Sequence, residues 1–156
     1  MNIITIEQAR EHCKTDAVDD EMLTIYANAA EAACAQLANR ALFVDQAALE
    51  AAVAAVSPTM TAAFAAHKTA LDAAASLDEF NREWAEDEAN QTLMAARVRA
   101  SHIIAGKVAD DDIIAAILLT TGHFYRNREE NGTTKFDEVP MGAARIMRWH
   151  RRVGTL

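Results

Sequence analysis

One stretch decides the fold: Asp110 to Val139, which reads DDDIIAAILLTTGHFYRNREENGTTKFDEV. Three aspartates open it, an apolar run follows, and an aromatic pair leads into an arginine-rich end. The carboxylate of Asp111 or Asp112 suits the first free amides and the positive end of a helix dipole. An apolar stripe follows at helical spacing, made of Ile114, Ile117, Leu118, Thr121 and Tyr125. The stretch therefore predicts an amphipathic helix, whose apolar run is shorter than the roughly 20 residues that cross a bilayer.

The composition favours helices throughout. Half of the residues are hydrophobic, much of that fraction is alanine, and Gly and Pro number only 5 and 2. Alanine is the strongest helix former, and 156 residues suffice for one domain with a core. We therefore predict an all-α protein, a small helical bundle of about five to seven helices in a single domain, 1–156.

Two helices are predicted before residue 40. A capping box, Thr5 to Gln8, starts a short helix that ends near Lys14. Asp19 or Asp20 then caps a longer helix that ends near Asn39. Its predicted buried stripe consists of Met22, Ile25, Tyr26, Ala29, Ala33 and Leu37.

The segment 45–106 is predicted to be an inserted, alanine-rich helical region. Asp45 caps a helix that breaks at Ser57-Pro58, after which a second helix runs to about Ala75. A second capping box, Ser76 to Glu79, then starts a helix with Phe80 and Trp84 on its apolar side, ending at Gly106.

The last predicted helix runs from Pro140 to Arg152 and is basic. Met141, Ala144, Ile146, Met147 and Trp149 supply its apolar contacts. On another side Arg145, Arg148 and Arg152 recur at i, i+3 and i+7, which places them on one helical stripe. Trp and Arg are frequent interface hot spots, so this helix is predicted to dock onto an acidic neighbour. One alternative is that the arginines contact phosphates, which their planar guanidinium groups also suit. The other is that Trp149 packs on its own subunit and the arginines are solvated.

Charge is distributed unevenly along the chain. Residues 113–156 hold seven Lys and Arg against four acids, a balance of +3, so residues 1–112 carry −11 of a total of −8. An acidic body with a basic tail suggests that different partners contact each end. It argues against general binding to duplex DNA, which needs a net basic face.

No catalytic, metal or cofactor site is predicted. The histidines (His12, His67, His102, His123 and His150) stand outside any zinc-ligand spacing. Cys34 sits among alanines without a positioned base, so we interpret it as a small buried hydrophobe. The acidic group of Glu83, Glu86, Asp87 and Glu88 fits a solvated helix face better than a cation site. We therefore expect that the protein is not an enzyme.

Two parts of the sequence carry a family resemblance. The first is the apolar run of Ala116–Leu119 into Gly122, His123, Phe124, Tyr125, Asn127, Arg128 and Glu129, followed by Glu138, Pro140 and Gly142. The second is the opening from Ile4 to Ala9 with Asp19-Asp20 and an Ala-rich helix. In order and spacing these resemble the gp6-like head–tail connector family of tailed phages. The match covers about the first 40 and the last 45 residues, and the segment between departs from the family.

The resemblance implies a structural protein of the virion neck, present in the host cytoplasm before assembly. It implies a dodecameric ring of this chain, bound to the portal protein and to a downstream neck or tail-completion protein. Genomic DNA would pass through the lumen without sequence-specific binding, and no membrane is involved. The residues predicted at partner or subunit interfaces are Gly122, Tyr125, Arg128, Arg145, Arg148, Trp149 and Arg152.

Two alternatives stay open at this point. One is a small-terminase-like helical factor for DNA packaging, which would need a helix-turn-helix with basic recognition residues. Asp19 to Arg40 has the length for this but not the charge. The other is a cytoplasmic helical regulator that binds a helix of another protein.

Overall fold

Helices make up 79% of the residues that the structure describes and strands almost none, which confirms the all-α prediction. The computed structural model describes residues 3–16, 20–127 and 140–153 and contains six helices within them. The elements in chain order are α1 (Ile6–Cys13), α2 (Asp20–Ala38), β1 (Leu42–Phe43), α3 (Gln46–Ala74), α4 (Glu79–Ile104), β2 (Lys107–Val108), α5 (Asp111–Arg126) and α6 (Met141–Trp149). They divide into two compact units, one of residues 1–49 with 106–155 and the other of residues 50–105.

The first unit is a four-helix bundle in which α2 and α5 form the central pair. α6 packs on both of these helices, and α1 packs on both as well. The contact face of α5 is its buried row Ile113, Ala116, Ile117, Thr120 and Thr121. Ile117 and Thr121 belong to the predicted stripe, while Ile114, Leu118 and Tyr125 are half-buried at its margin.

The buried face of α2 differs from the predicted one. The predicted Met22 and Ile25 are exposed, and the helix instead buries Leu23, Ala27, Ala30, Glu31, Cys34 and Ala38. Except for Leu23 and Glu31 these are small residues, which allow the backbone of α5 to approach closely. The prediction was wrong because it gave weight to large apolar side chains such as Met22 and Ile25, whereas the buried face of α2 is made mainly of small residues.

The Glu31 carboxylate lies inside the first unit and ties down the amino-terminal segment. One of its oxygens accepts hydrogen bonds from the backbone N–H groups of Ile3 and Ile4, the latter at 3.2 Å. Burial raises the pKa of this carboxyl above its ordinary value of 4.5, and the two N–H groups lower the pKa only in part. The group is therefore more readily protonated in the folded chain than in the unfolded one.

A short parallel ladder clips together the two chain segments that enter and leave the second unit. Leu42 pairs with Lys107 and Phe43 with Val108. The ladder is continued by N–H donation from Lys107 to the carbonyl of Ala41 (3.0 Å) and from Ala109 to that of Phe43 (2.8 Å). The side chain of Asp110 then caps α5 at the amide of Ile113, so the predicted caps Asp111 and Asp112 are instead first-turn residues.

The second unit consists of most of α3 together with α4, and it falls inside the segment 45–106. Asp45 accepts from the amide of Ala48, as a cap does. The helix then continues through Pro58 without the predicted break. Pro58 and Ala54 are exposed, so the carbonyl of Ala54, which loses its helical donor, faces solvent. The cap of α4 is Asp78, which accepts from the amide of Asn81, and not the predicted Ser76.

α3 and α4 are joined by few close contacts. His67 Nε2 and Asn90 Oδ1 lie 2.9 Å apart, and the Arg97 guanidinium lies 5.3 Å from the centroid of the Phe64 ring. Between the helices lies an open, alanine-rich cleft of about 670 Å³. Phe80 and Trp84, predicted on the apolar side of α4, are 76% and 71% exposed. This unit therefore buries little of its own apolar surface.

One helix of the described residues, α3, is long and apolar enough to cross a membrane. Its best 18-residue window has a mean hydropathy of 1.3, and none of that window is buried. This property rests on length and composition alone, and a single helix of this kind is weak evidence for a membrane span. Much of it comes from alanine, and the helix also carries Glu50, Lys68 and Asp72.

The first prediction concerns Gly122, where a Cβ atom would lie 3.1 Å from the His12 ring. Ala is favoured over Gly inside a helix by about 1 kcal/mol, but at Gly122 this gain is opposed by the ring. We expect Gly122→Ala to change the free energy of unfolding by less than about 1 kcal/mol in the wild-type chain. In a His12→Ala background it should stabilise by about 1 kcal/mol, and Gly122→Leu should cost about 1–3 kcal/mol. Equal effects of Gly122→Ala in both backgrounds, measured by urea denaturation, would contradict the contact.

The second prediction uses the raised pKa of Glu31. Because the folded state binds this proton more tightly, the stability that protonation contributes is present below pH 4.5 and is lost as pH rises through the folded-state pKa. Glu31→Gln keeps an acceptor oxygen for both amides and removes the titration. The free energy of unfolding of wild type relative to Glu31→Gln should therefore fall as pH rises above 4.5 and through the folded-state pKa.

Glu31→Ala is the control for this measurement, since it leaves two amides without their acceptor and should cost about 1–3 kcal/mol at every pH. A difference between wild type and Glu31→Gln that does not change with pH would rule out the raised pKa.

Candidate functional site

The candidate site is the outward face of α6, whose two sides differ sharply. Ala143 and Met147 lie one turn apart and are fully buried in the first unit. On the other side Met141 is 81% exposed and Trp149 is 71% exposed, and both Arg145 and Arg148 are exposed. These four residues, at i, i+4, i+7 and i+8, share one side of the helix. We call them the docking face: Met141, Arg145, Arg148 and Trp149.

The first unit holds α6 firmly, so the docking face has a fixed place on it. Ala143 and Met147 anchor the helix from below, and Gly142 lies beside Leu119 of α5. After the helix ends, the Arg152 N–H donates to the carbonyl of Ala38 at 2.9 Å. The face is therefore presented by packed secondary structure, which favours a defined contact surface.

A polar cluster fixes the chain just beyond α6. The Lys107 ammonium donates to His150 Nδ1 at 2.7 Å and to a carboxylate oxygen of Asp110, also at 2.7 Å. Burial tends to raise the pKa of Asp110, but Lys107 and the amide of Ile113 outweigh it, and the net shift is downward. The cluster joins β2, the cap of α5 and the end of α6. We assign it a structural role because each of its charges has a partner within the cluster.

The two arginines of the docking face can pair with a charged group on another molecule. Neither Arg145 nor Arg148 forms an ion pair or hydrogen bond within residues 3–16, 20–127 and 140–153. An exposed guanidinium with no internal partner keeps its planar donors for a carboxylate or phosphate on another molecule. The exposed side chains of Met141 and Trp149 border this charge, and Leu119, 40% exposed, lies close to the start of α6.

The predicted interface residues do not all meet on this face. Arg145, Arg148 and Trp149 lie together there. The helix ends at Trp149, so Arg152 leaves the predicted helical stripe, and its carbonyl lies 3.5 Å from the Asn39 side-chain amide. Arg128 lies outside the described residues.

Gly122 and Tyr125 lie inside the first unit. Gly122 is buried against the His12 ring. The Tyr125 hydroxyl donates to Thr15 Oγ1 at 2.8 Å, and its ring meets that of Tyr26 edge-on at 6.4 Å. Both residues pack helices of the same chain, so we place them outside the docking face.

Met141 is the member of the face that the sequence analysis did not name as an interface residue, although it listed Met141 among the apolar contacts of the last helix. The spacing of Met141, Arg145 and Trp149, at i, i+4 and i+8, was the available signal. Ala143 and Met147 are also four positions apart, so the spacing does not show which side of the helix is buried. The packing of α6 against α5 decides it.

The remaining reactive groups are held in structural settings. Burial raises the pKa of the Cys34 thiol to about 11, so this thiol is protonated at neutral pH. Its sulfur lies 3.9 Å from Thr120 Oγ1 in the α2–α5 contact. No group of three His, Cys, Asp or Glu side chains converges on a metal-sized site in the part of the chain that the structure describes.

Comparison with protein-family models, curated proteins and solved structures found no match to this chain. By its fold, the chain is an all-α protein made of a four-helix bundle and a helical hairpin unit.

Proposed function

We propose that the chain is a structural head–tail connector of a tailed phage, and that the docking face of α6 attaches it to the portal protein. The observation that carries the proposal is the exposure of Arg145, Arg148 and Trp149 on a helix whose opposite side is fully packed. A Trp beside unpaired arginines is the kind of cluster that dominates binding energy at protein interfaces. The resemblance of the chain ends to the connector family supports the same assignment.

The portal surface that fits this face is acidic and partly apolar. Two unpaired guanidinium groups favour carboxylates, with which they form paired, planar hydrogen bonds. Met141 and Trp149 add apolar area at the edge of the charge, which would exclude water from the contact. Copies of the chain would form a ring, dodecameric in the family, between the portal and a downstream neck or tail-completion protein.

In this role the chain acts by shape and electrostatics, and it needs no catalysis, metal or cofactor. The acidic balance of residues 1–112 would repel the phosphates of a genome that passes through the ring, which prevents tight attachment. The protein would reside in the virion neck and, before assembly, in the host cytoplasm.

A small-terminase-like packaging factor is less well supported by the surface of α2, which has the length of a recognition helix. The exposed positions of α2 carry Glu21, Met22, Ile25, Asn28, Ala29, Ala32 and Gln36. None of them is basic, whereas recognition helices use cationic side chains to approach DNA.

The third prediction tests the docking face. Arg145→Glu combined with Arg148→Glu should abolish attachment to the purified portal protein while the circular dichroism and melting temperature stay unchanged, because both side chains are exposed and unpaired. Attachment of the wild-type chain should weaken as salt rises from about 50 to 500 mM, since added salt screens exposed charges. Trp149→Ala should weaken attachment about ten-fold or more, as loss of an interface hot spot does.

A matched control is Arg99→Glu combined with Arg126→Glu, which makes the same change in charge at exposed sites on two other helices, α4 and α5. It should attach as the wild type does. Equal attachment of wild type and the Arg145→Glu, Arg148→Glu variant at every salt concentration would exclude α6 as the docking element. Binding of a monomer to duplex DNA at physiological salt would instead favour the packaging factor.

A further inference from the structure

The side of α4 that points away from α3 carries an unpartnered row of side chains. Ala85, Ala89 and Ala96 line the cleft toward α3, which fixes the orientation of the helix within its unit. The opposite side presents Phe80, Trp84 and Met94, which are 76%, 71% and 57% exposed. Contact with water is unfavourable for three large apolar side chains on one exposed helix face, and burying them would lower the free energy. This row is independent of α6 and of the proposed docking to a portal.

The spacing of the row is that of a coiled-coil seam. We define the α4 seam as Phe80, Trp84, Asp87, Gln91, Met94 and Val98. Successive members are separated alternately by four and three residues, the heptad spacing with which two helices pack against each other. Four of the six are apolar, and the two polar members occupy the middle.

We propose that the α4 seam binds the α4 seam of a second copy of this chain in antiparallel orientation. In one register every member finds a matching partner: Phe80 faces Val98 of the second copy, Trp84 faces Met94, and Asp87 faces Gln91. The central Asp87 and Gln91 pair can form a hydrogen bond across the contact. Polar groups at single seam positions fix register in this way, because any slip would place them against apolar side chains.

Charges beside the seam select the same orientation. The first half of α4, residues 79–90, holds five acids and one arginine, whereas residues 91–104 hold Arg97 and Arg99 and no acid. One flank of the seam consists of Glu83, Asn90 and Arg97, each seven residues apart. Within the hairpin, Asn90 contacts His67 of α3 and the Arg97 guanidinium lies over the Phe64 ring, while Arg97 stays exposed to solvent. In the antiparallel register Glu83 lies beside Arg97 of the second copy, twice by symmetry, and Asn90 lies beside Asn90 of the second copy.

On the other flank the antiparallel register brings Glu88 beside Glu88 of the second copy, which is one like-charge pair against two opposite-charge pairs. A parallel pair would bring Glu83 near Glu88 of the second copy twice, with no opposite-charge pair to offset the repulsion.

The dimensions suit such a contact. α4 has 26 residues, which corresponds to a length of about 39 Å at 1.5 Å per residue. A shallow depression of about 390 Å³ lies beside the seam, lined by Phe80, Glu83, Trp84, Glu86, Asp87 and Asn90. Side chains of the second copy would fill it. Because α3 lies on the opposite side of α4, the footprint is that of one helix, about 39 Å long and about 10 Å wide. This is about half of the roughly 800 Å² per partner of a standard interface and fits a dimer that forms with rising concentration.

The test uses the full chain and charge reversals in the flank. Wild type should pass from monomer to dimer with rising concentration in sedimentation equilibrium. Arg97→Glu or Glu83→Arg alone should raise the dissociation constant about ten-fold or more, because each change creates two like-charge pairs by symmetry. The double variant Glu83→Arg, Arg97→Glu restores both pairs in the antiparallel register and should dimerise as wild type does. Arg99→Glu makes the same charge change beside the α3–α4 cleft and should have little effect.

A second readout follows Trp84 directly. In a Trp149→Phe background Trp84 is the single tryptophan. Its emission should shift to longer wavelength on dilution, with the same midpoint as sedimentation. A wild-type chain that stays monomeric at every concentration, or a double variant that dimerises no better than the single ones, would overturn the proposal. So would an emission shift that requires phosphatidylcholine–phosphatidylglycerol vesicles and not protein concentration, since the seam would then face lipid.

Failure here is distinguishable from failure of the proposed function. Arg145→Glu with Arg148→Glu should leave the α4 dimer unchanged, and Arg97→Glu should leave attachment of the chain to portal protein unchanged.

Discussion

The close contact between α2 and α5 is the constraint on which the first unit depends. Most of the residues that α2 buries are small, among them Ala30, Cys34 and Ala38. Cys34 and Thr120 meet at 3.9 Å, and the Thr120 hydroxyl is satisfied by the carbonyl of Ala116 within its own helix. Because interiors are close-packed, a larger side chain at any of these positions would separate the two helices. α1 and α6 each pack across both helices, so where they lie depends on the spacing between α2 and α5.

The first unit is held together by contacts within the chain, while the docking face of α6 and the α4 seam of the second unit stay exposed. Glu31 holds the amino-terminal segment, and the β1–β2 ladder holds the segments that lead to the second unit. The buried residues of α6 complete the core, so its arginines and Trp149 are not required for folding. α3 and α4 bury little apolar surface, and the α4 seam stays open. A stable core with separate unpartnered faces is what a structural assembly protein needs, whichever partner each face binds.

Much of the fold could be predicted from the sequence where local signals act alone. The capping box at Thr5 and Gln8 forms as expected, and α5 occupies the predicted stretch. Where two local signals conflict, the sequence alone does not show where a helix begins or ends. Three consecutive aspartates offer three caps for α5, and the backbone reaching it from β2 selects Asp110. Pro58 follows a serine as at a helix start, yet an exposed helix continues through it because solvent can satisfy the freed carbonyl.

Tertiary contacts account for the remaining differences, and they bear on the site. α6 ends at Trp149 and not at Arg152, since the Arg152 N–H pairs with the carbonyl of Ala38, a residue 114 positions earlier. The buried stripe of α2 is selected by the small residues that α5 requires, which apolar periodicity does not reveal. Arg145, Arg148 and Trp149 could be predicted as interface residues because of their residue types and because Arg145 and Arg148 lie three positions apart on one helix. Met141 could not, because its exposure depends on the packing of its neighbours.

Native-state amide hydrogen exchange, on the chain diluted until it is monomeric, tests most directly whether the α2–α5 contact is the foundation of this structure. We expect the slowest amides to lie in the middle of α2 and α5 and to exchange through global unfolding. Amides of α3 and α4 should exchange faster, by local opening, because few buried contacts hold them. If α3 and α4 contained the slowest amides, or if α2 exchanged long before α5, the α2–α5 contact would not be the constraint on which the bundle depends.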